Sequence, residues 1–149
     1  MTNFEPKILG ILCNLCSYTG ADLAGTARMK YPANMRSVRV MCSGRVDPGF
    51  IFDALRAGAD GVLICGCHPG DCHYKRGNYA AQNRALLLAA MLEQFGIEKQ
   101  RFRLDWVSAG EGERFARVVS EMYDGVAALG KLALHDPARA GGAKSEVRA

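Results

Sequence analysis

The chain has 149 residues, a net charge of +4 at pH 7 and a pI near 8.8. A chain of this length forms one ordinary domain and buries about two thirds of its unfolded surface, so it needs no disulfides to fold. Its lysines and arginines are scattered rather than clustered, which argues against binding to nucleic acid. No segment approaches the roughly 20 apolar residues that cross a bilayer, so we expect no membrane insertion.

Six cysteines are the main feature of the composition. The apolar run from Ile8 to Leu12 is too short for the core of a signal peptide, which favours a cytoplasmic location. Thiols are kept reduced in the cytoplasm. The cysteines therefore indicate metal or redox chemistry rather than structural disulfides.

Apolar runs and amphipathic stretches alternate four times along the chain. The runs at residues 7–12, 37–41, 61–64 and 101–107 predict strands. Helical spacing predicts helices at residues 21–30, 49–57 and 79–95 and a last helix through 115–129. We therefore expect a single-domain α/β fold, a flavodoxin-like or Rossmann-like parallel sheet of about four strands with helices on both faces. Residues 1–134 form this domain, and residues 135–149 are predicted to be a mobile C-terminal tail.

Local signals predict where helices begin and which sides are buried. Asp47 and Pro48 are typical of an N-cap and first helical position, and Ser108 and Glu111 of a capping box. The helix at 79–95 is expected to bury Leu86, Leu87, Ala90, Met91 and Phe95. The last helix is expected to bury Phe115, Val118, Val119, Met122, Val126 and Leu129. The alternating strand at 101–107 predicts a wetter face near a sheet edge, carrying Arg101, Arg103 and Asp105.

The cysteines follow the predicted strands. Those that end a strand are Cys13, Cys42, Cys65 and Cys67, and those in the loops that follow are Cys16 and Cys72. The carboxyl ends of parallel strands share one edge of the sheet, where α/β proteins bind their ligands. Sulfurs from distant parts of the chain should therefore converge there. Cys65 lies between Ile64 and Gly66 in a buried strand and is predicted to be a core residue.

Three chemistries fit a group of converging thiols. A thiol–disulfide oxidoreductase would use Cys13 and Cys16, which follow a strand and precede a helix as redox dithiols do. A zinc-stabilised adaptor could complete a tetrahedral site with His68 or His73, although a full α/β core makes zinc unnecessary for folding. We expect both histidines to bond to backbone groups in their loop instead.

An iron–sulfur cluster is the third chemistry, and it takes four cysteine thiolates. Gly44, Gly66 and Gly70 would let backbone N–H groups approach the sulfurs, and Arg45 would offset the negative charge of a cluster. The cysteine spacing matches neither the bacterial nor the plant-type ferredoxin pattern. Spacing alone therefore leaves the type of cluster open.

Three segments resemble one known family. They are CNLCSYTGAD, RVMCSGRVDP and GCHPGDCHY, the last followed by Gly77, Asn78 and Tyr79. In this order they resemble the delta subunit of methyl-viologen-reducing hydrogenase, and the likeness extends over about residues 7–129. The resemblance implies an iron–sulfur electron-transfer domain with a [2Fe-2S] cluster and no substrate chemistry of its own.

The same resemblance implies partners and ligands. In the family this protein connects a hydrogenase, or in some organisms a formate dehydrogenase, to the flavoprotein subunit of a heterodisulfide reductase, where it feeds flavin-based electron bifurcation. The motif positions imply the metal ligands Cys13, Cys16, Cys42, Cys67 and Cys72. That is one thiolate more than a [2Fe-2S] cluster needs, and the motifs do not say which is spare. Cys65 lies outside the motif.

Overall fold

Strands and helices alternate along the chain in the computed structural model, which describes residues 3–135. The strands are β1 (Ile8–Cys13), β2 (Met35–Val40), β3 (Gly61–Gly66) and β4 (Phe102–Trp106). The α-helices are α1 (Ser17–Thr26), α2 (Pro48–Ala57), α3 (Gly77–Gln94) and α4 (Gly112–Leu129). The predicted order and type of the elements are confirmed.

All four strands are parallel and lie in the order β2-β1-β3-β4. This is the order of the first four strands of a flavodoxin-like sheet. The chain leaves β1 toward β2 on one side and returns to place β3 on the other, so the strand order reverses between β1 and β3. The crevice beyond the carboxyl ends of these two strands is the usual ligand site of such sheets.

Helices cover both faces of the sheet, as predicted, and each face has its own core. On one face α1 and α4 pack against strand residues that include Leu12, Leu63 and Cys65. On the other face α2 and α3 pack against Ile11 and Ile64 among others. The buried residues of β3 therefore contribute alternately to the two cores, as the period of two in a strand requires.

The start of α2 is as predicted. The Asp47 carboxylate accepts a hydrogen bond from the N–H of Gly49 at 2.7 Å, and Pro48 is the first helical residue. Gly58 ends the helix with a φ of +120°, a conformation that favours glycine. The sequence signals for this helix are local, so they did not depend on the rest of the fold.

The helix after β1 begins earlier than predicted, because residues 17–20 form its first turn instead of a loop. Ser17 is fully buried, and its Oγ accepts the N–H of Cys13 at 2.8 Å. A Cβ at Gly20 would lie 2.7 Å from the carbonyl O of Ser108, so glycine allows α1 to approach the segment before α4. These tertiary contacts support a first turn that is rich in small polar residues.

The buried side of α3 differs from the predicted one. Leu86, Leu87 and Phe95 are among the most exposed large apolar residues, at 68%, 61% and 67%. The buried residues are instead Asn78, Ala81, Ala85, Leu88 and Leu92. Because α3 carries apolar residues on several sides, its periodicity did not select one face.

The predicted wetter face of β4 is wrong, although β4 does lie at an edge of the sheet. Arg101, just before the strand, is 0% exposed, and Asp105 is 8% exposed. Asp105 accepts hydrogen bonds from Arg103 at 2.6 Å and from Arg114 of α4 at 2.8 Å. These polar side chains are buried because partners satisfy their charges.

The last helix begins at Gly112, three residues later than a capping box at Ser108 and Glu111 predicts, and Glu111 rather than Ser108 is its N-cap residue. The Glu111 carboxylate accepts the N–H of Ser108 at 2.9 Å, which is one half of the reciprocal capping pattern. Five of the six residues on its predicted apolar side are buried, namely Phe115, Val118, Val119, Met122 and Val126, whereas Leu129 at the end of the helix is only partly buried.

Most of the predicted tail, 135–149, falls outside the described residues. His135 is the exception, and its Nε2 lies 2.5 Å from the carbonyl O of Leu55 in α2. The mobility of the tail stays a prediction. Within residues 3–135, no helix combines the length and the apolar character needed to cross a bilayer.

Candidate metal centre

Three cysteine sulfurs meet at the point where the strand order reverses. Cys13 is the last residue of β1, Cys16 directly precedes α1, and Cys67 directly follows β3. Their Sγ atoms all lie within 4.8 Å of one another. Cys67 Sγ is 3.8 Å from Cys13 Sγ and 2.9 Å from Cys16 Sγ. All three residues are buried. We call Cys13, Cys16 and Cys67 the thiol triad.

A second pair of cysteines lies beside the thiol triad. Cys42 follows β2, and Cys72 lies in the loop between β3 and α3. Their Sγ atoms are 3.7 Å apart, and both residues are buried. Burial raises the pKa of Cys42, and negative charge on Cys13 raises it further, so the triad and the pair interact electrostatically. The structure thus brings three of the predicted ligands together in the thiol triad and the other two together in a neighbouring pair.

Ser17 joins the ends of the two central strands under the thiol triad. Its Oγ accepts the N–H of Cys13 at 2.8 Å and donates to the carbonyl O of Cys65 at 2.7 Å. Sequence reasoning had placed Ser17 in a loop and gave it no role. The signal available was a small polar residue directly after Cys16, at a position suited to begin a helix.

Asn78 is a second residue whose role sequence reasoning missed. Its Nδ2 donates to the carbonyl O of Cys67 at 3.1 Å and to that of His68 at 2.8 Å. Its backbone N–H donates to Cys72 Sγ. Asn78 is buried at the start of α3, so it connects this helix to both cysteine-bearing parts of the loop.

Backbone N–H groups point at the sulfurs. Cys13 Sγ accepts from the N–H groups of Leu15 and Cys16, and Cys42 Sγ accepts from that of Gly44. Cys72 Sγ accepts from the N–H groups of Tyr74, Gly77 and Asn78. Such donors stabilise the thiolate form, which is the form that binds metal.

The thiols differ in acidity as a result. Hydrogen bonding from Cys16 lowers the pKa of Cys13 to about 5, although burial opposes the shift. The same contact with Cys13, together with burial, raises the pKa of Cys16. Burial raises the pKa of Cys42 and Cys67, whereas N–H donors outweigh burial and lower the pKa of Cys72. Binding of a metal by the protonated members would release protons.

Two glycines leave room for the sulfur pair. A Cβ at Gly77 would lie 2.2 Å from Cys42 Sγ and 3.2 Å from Cys72 Sγ. A Cβ at Gly44 would lie 2.6 Å from the carbonyl O of Gly77. The backbone at residue 77 therefore occupies the space beside the sulfurs, and glycine is required there for steric reasons. The sequence motif includes Gly77, but the sequence does not show that the sulfurs of Cys42 and Cys72 lie beside it.

The other predicted cofactor-binding residues occupy different surroundings. A Cβ at Gly66 would lie 2.6 Å from Ser43 Oγ and 3.1 Å from Trp106 Cζ3, so the open side of Gly66 faces these residues. Arg45 ends a short 3₁₀ helix (Ser43–Arg45) after Cys42, and its side chain is exposed. Binding roles for Gly44, Gly66 and Arg45 stay predictions.

The two histidines of the loop have partners other than the predicted backbone groups. His68 Nε2 forms a short contact with a carboxylate oxygen of Glu111. His73 packs edge-to-face on Tyr74 with ring centroids 5.0 Å apart. The N–H of Ser108 and the side chain of His68 together lower the pKa of Glu111 to about 2. His68 thus links the cysteine loop to the start of α4.

Cys65 belongs to the core, as predicted. It is 0% exposed and packs with Leu12 and Leu63 in the core under α1 and α4. Burial raises the pKa of its thiol to about 12, which keeps it protonated at neutral pH. Its side chain lies on a buried sheet face, whereas the other five cysteines lie at the sheet edge.

The donor set suits an iron–sulfur cluster or a zinc ion, because both prefer thiolate ligands. A tetrahedral ion bound by thiolates at about 2.3 Å has sulfur–sulfur edges of about 3.8 Å. The Cys13–Cys67 distance of 3.8 Å and the Cys42–Cys72 distance of 3.7 Å match this edge. Two pairs of cysteine sulfurs, each separated by the length of a tetrahedral edge, are therefore already in place.

The sequence of this chain matches a known protein family over the residues that form the sheet and the cysteine site. The family model described as FlpD, methyl-viologen-reducing hydrogenase, delta subunit, matches residues 8–130. The iron-sulfur subunit of the vhc F420-non-reducing hydrogenase of Methanococcus voltae is 53% identical over 134 residues, covering 90% of this chain and 93% of the relative. The iron-sulfur subunit of the F420-non-reducing hydrogenase of Archaeoglobus profundus is 52% identical over 127 residues, covering 85% of this chain and 93% of the relative.

A third relative is a much longer protein. It belongs to the ferredoxin/F(420)H(2)-dependent CoB-CoM heterodisulfide reductase of Methanosarcina acetivorans and is 44% identical over 127 residues. The match covers 85% of this chain but only 16% of the longer protein. A domain similar to this chain is therefore one part of that polypeptide. From the family match and the two full-length relatives it follows that the chain belongs to the methyl-viologen-reducing hydrogenase delta subunit family.

Proposed function

We propose that this protein is an electron-transfer subunit that holds one [2Fe-2S] cluster and has no substrate chemistry of its own. The observation that carries the proposal is the pair of buried sulfur–sulfur edges, 3.8 Å and 3.7 Å long, at the reversal of strand order. A [2Fe-2S] cluster takes four cysteine thiolates and, when bound, supplies one-electron transfer. The backbone N–H groups at these sulfurs would tune its potential.

The four ligands we assign are Cys13, Cys67, Cys42 and Cys72. Cys13 and Cys67 would form one half of the site, and Cys42 and Cys72 would form the other half. Cys16 is the spare thiol, because its Sγ lies 2.9 Å from Cys67 Sγ, well short of the about 3.8 Å edge of a tetrahedral site. Cys16 would then act as a hydrogen-bonding neighbour of the bound thiolates.

We assign supporting roles to the residues around the ligands. Gly44 would donate its N–H to the Cys42 thiolate, as it does to the thiol in this structure. Arg45 would offset the negative charge of the bound cluster from the surface. Because Gly66 has no side chain, Ser43 can pack against β3, and this contact would keep the end of the strand close to the loop that carries Cys42. Only Gly44 in this group contacts a sulfur directly.

The partners we propose come from the relatives. Several are named as subunits of a hydrogenase, and two as subunits of a heterodisulfide reductase. We infer that the protein relays electrons between a hydrogenase, or a formate dehydrogenase, and the flavoprotein subunit of a heterodisulfide reductase. The presence of a similar domain within a long heterodisulfide reductase polypeptide supports the second contact. Six free cysteines support a reducing cytoplasmic location.

Metal and sulfide analysis of anaerobically purified protein tests the cofactor. We expect about two irons and two acid-labile sulfides per chain, with a paramagnetic signal on reduction. Stoichiometric zinc without sulfide would contradict the cluster and would favour a zinc-stabilised adaptor. The adaptor is supported by the grouping of the three triad sulfurs within 4.8 Å of one another, although Cys16 Sγ would have to move away from Cys67 Sγ for both to bind one zinc ion.

The thiol–disulfide oxidoreductase with Cys13 and Cys16 makes a different prediction. It requires a colourless, metal-free protein whose thiol-exchange activity disappears in Cys16→Ser. Cys16 Sγ lies 2.9 Å from Cys67 Sγ, a contact that this alternative does not require.

Purification of the tagged chain from its native cells tests the partners. We expect hydrogenase and heterodisulfide reductase subunits to purify with it. Recovery of a cluster-loaded chain without either enzyme would contradict the relay while leaving the cofactor assignment intact.

A further inference from the structure

Cys16 and Cys67 approach each other more closely than two ligands of one metal ion do. Their Sγ atoms are 2.9 Å apart, whereas the edge of a tetrahedral thiolate site is about 3.8 Å long. A disulfide joins its sulfurs at about 2.05 Å. The two sulfurs would therefore have to close by only about 0.9 Å to form a disulfide.

The two pairs of sulfurs at ligand distance are further from bonding. Cys13 and Cys67 are separated by 3.8 Å, and Cys42 and Cys72 by 3.7 Å, so each pair would have to close by about 1.7 Å. Three backbone N–H groups donate to Cys72 Sγ, and the backbone at Gly77 lies against Cys42 Sγ. These contacts hold the sulfur pair at the distance that suits a metal.

The backbone around the thiol triad favours movement of Cys16. Cys13 is paired in the sheet, and its N–H donates to Ser17 Oγ at 2.8 Å. The carbonyl O of Cys67 accepts from Asn78 Nδ2 at 3.1 Å. Cys16 instead lies in the turn between β1 and α1. Closure onto Cys67 is therefore assigned to Cys16, which can move without breaking a pairing of the sheet.

We propose that Cys16 is the resolving thiol of the cluster-free site and forms a reversible disulfide with Cys67 when a peroxide oxidises the protein. The proposal rests on the proposed function, since it takes Cys67 as a cluster ligand and Cys16 as the thiol that is left over. A metal bound to Cys67 occupies the sulfur that the disulfide needs. The bound cluster and the disulfide therefore exclude each other.

The oxidation takes place in two steps. Hydrogen peroxide converts the Cys67 thiol into a sulfenic acid and releases one water. The Cys16 sulfur then attacks the sulfenic sulfur, so that the S–S bond forms, the S–O bond breaks and a second water leaves with the Cys16 proton. The two thiols lose two electrons and two protons in total, and these reduce the peroxide to water.

The disulfide would preserve a ligand that oxidation otherwise destroys. A sulfenic acid without a thiol partner can be oxidised further to a sulfinic acid, which thiol reductants do not reverse. Cys16 and Cys67 are only 7% and 5% exposed, which admits a small oxidant such as hydrogen peroxide more readily than a bulky disulfide. Reduction of the Cys16–Cys67 disulfide would return Cys67 to the ligand set.

Peroxide treatment of the full chain in its reduced, cluster-free form tests this role. Free thiols are blocked after treatment, and peptide mass spectrometry with fragmentation identifies the linked cysteines. A second sample is reduced with dithiothreitol and reconstituted with iron and sulfide, and its iron content is measured. Cys16→Ser is the test variant. Cys65→Ala is the control, because it removes a core sulfur and leaves the triad intact.

We expect the wild type and Cys65→Ala to form the Cys16–Cys67 disulfide and, after dithiothreitol, to bind as much iron as their untreated samples. Treated Cys16→Ser should carry sulfinic acid at Cys67 and bind less than half the iron of untreated Cys16→Ser, whose loading shows that the variant folds.

Two results would overturn the role of Cys16. One is a wild-type disulfide between any other two cysteines, including Cys13 with Cys16. The other is full recovery of iron binding by treated Cys16→Ser, which would show that Cys67 is protected without Cys16. An untreated wild-type chain that takes up no iron and sulfide would instead overturn the proposed function, while the disulfide map would still decide which thiols pair.

Discussion

At the scale of single residues, the five edge cysteines divide into a triad and a pair, and their distances separate one member from the rest. Cys16 Sγ is too close to Cys67 Sγ for both to bind one tetrahedral ion, whereas the Cys13–Cys67 and Cys42–Cys72 distances suit such a site. The ligand assignment therefore makes different predictions for different thiols.

Serine substitution of each thiol tests that assignment. Cys13→Ser, Cys42→Ser, Cys67→Ser and Cys72→Ser should each lose most of the iron, because a hydroxyl is a harder and weaker ligand than a thiolate. Cys16→Ser should keep about two irons per chain. Iron and sulfide analysis after anaerobic reconstitution measures the outcome. Cys65→Ala is the control, since it removes a buried core sulfur and should reduce stability but not iron content. Retention of iron by Cys13→Ser with its loss in Cys16→Ser would reverse the assignment.

The steric requirement at Gly77 gives a second residue-scale prediction. In Gly77→Ala the new methyl group would overlap Cys42 Sγ, so the sulfur or the start of α3 must move. We expect less than half of the wild-type iron per chain, measured with the visible absorption of the cluster. Gly25→Ala in α1 is the matched control, because a Cβ there has no neighbour within 4 Å among the described residues. Wild-type iron content in Gly77→Ala would show that the loop adapts without loss.

At the scale of elements, Arg101 holds the beginning of β4 to its neighbours. Its guanidinium is fully buried and donates to the carbonyl O of Asp60 at 3.1 Å, to that of Gly130 at 2.9 Å and to Glu98 at 2.6 Å. One side chain thus connects β4 with the start of β3 and the end of α4. Its charge is tolerated in the interior because every contact is with an acceptor.

Removal of Arg101 should therefore be costly. Arg101→Ala leaves a cavity and removes the donor from the buried carbonyl of Asp60 and the partly buried carbonyl of Gly130, and we expect the free energy of unfolding to fall by about 3–5 kcal/mol. Urea denaturation of the variant and the wild type measures the difference. Lys99→Ala removes the exposed ion pair with Glu93 and should cost no more than about 1 kcal/mol. Similar losses in the two variants would contradict the role given to the buried guanidinium.

The contact between Glu111 and His68 joins α4 to the cysteine loop and predicts a dependence on pH. Donation from Ser108 and His68 lowers the pKa of Glu111 from 4.5 to about 2 in the folded chain. A folded pKa below the unfolded value stabilises the protein above about pH 4.5, and this contribution is lost as the pH falls toward about 2. The carboxylate is partly exposed, so the effect should be modest.

Glu111→Gln should accordingly flatten the acid side of the stability profile. Urea midpoints of cluster-free, reduced protein between neutral pH and about pH 3 measure the slope. Glu113→Gln, which removes an exposed carboxylate from the first turn of the same helix, is the control and should retain the wild-type slope. An unchanged slope in Glu111→Gln would mean that other groups dominate acid unfolding.

At the scale of the whole molecule, the sulfur site and the folded core are separate. The thiol triad forms its own cluster at the sheet edge, apart from the two apolar cores on the sheet faces. Folding free energy comes mainly from these cores, because apolar burial is its dominant favourable contribution. Metal binding would therefore add stability to a chain that already folds, unlike a zinc finger, which needs its metal to fold.

Metal removal distinguishes these two cases. After the bound metal is removed with a chelator under reducing conditions, we expect the far-UV circular dichroism to be retained and the urea midpoint to fall. Loss of the helical signal on chelation would contradict the separation of site and core and would support a zinc-stabilised adaptor. Cys65→Ala serves as a comparison, because it weakens a core without touching the edge sulfurs.

The sequence by itself determined the order of the elements and the position of the cysteines at strand ends. Those features depend on local rules, such as the period of apolar residues and the Asp47–Pro48 cap, so a linear reading is sufficient. Convergence of the sulfurs then followed from parallel pairing alone. The same linear reading identified Cys65 as a core residue.

Only the tertiary structure decided which sulfurs pair, which side of α3 is buried and why β4 buries its charges. A sulfur–sulfur distance joins residues as far apart as Cys13 and Cys67, and no local pattern encodes it. The side of α3 that carries Leu88 is buried rather than the side that carries Leu86, because a helix with apolar residues on several sides is oriented by its neighbours. Asp105 is buried because Arg114, on another element, pairs with it. Each of these outcomes depends on contacts between distant residues, which exist only once the chain has folded.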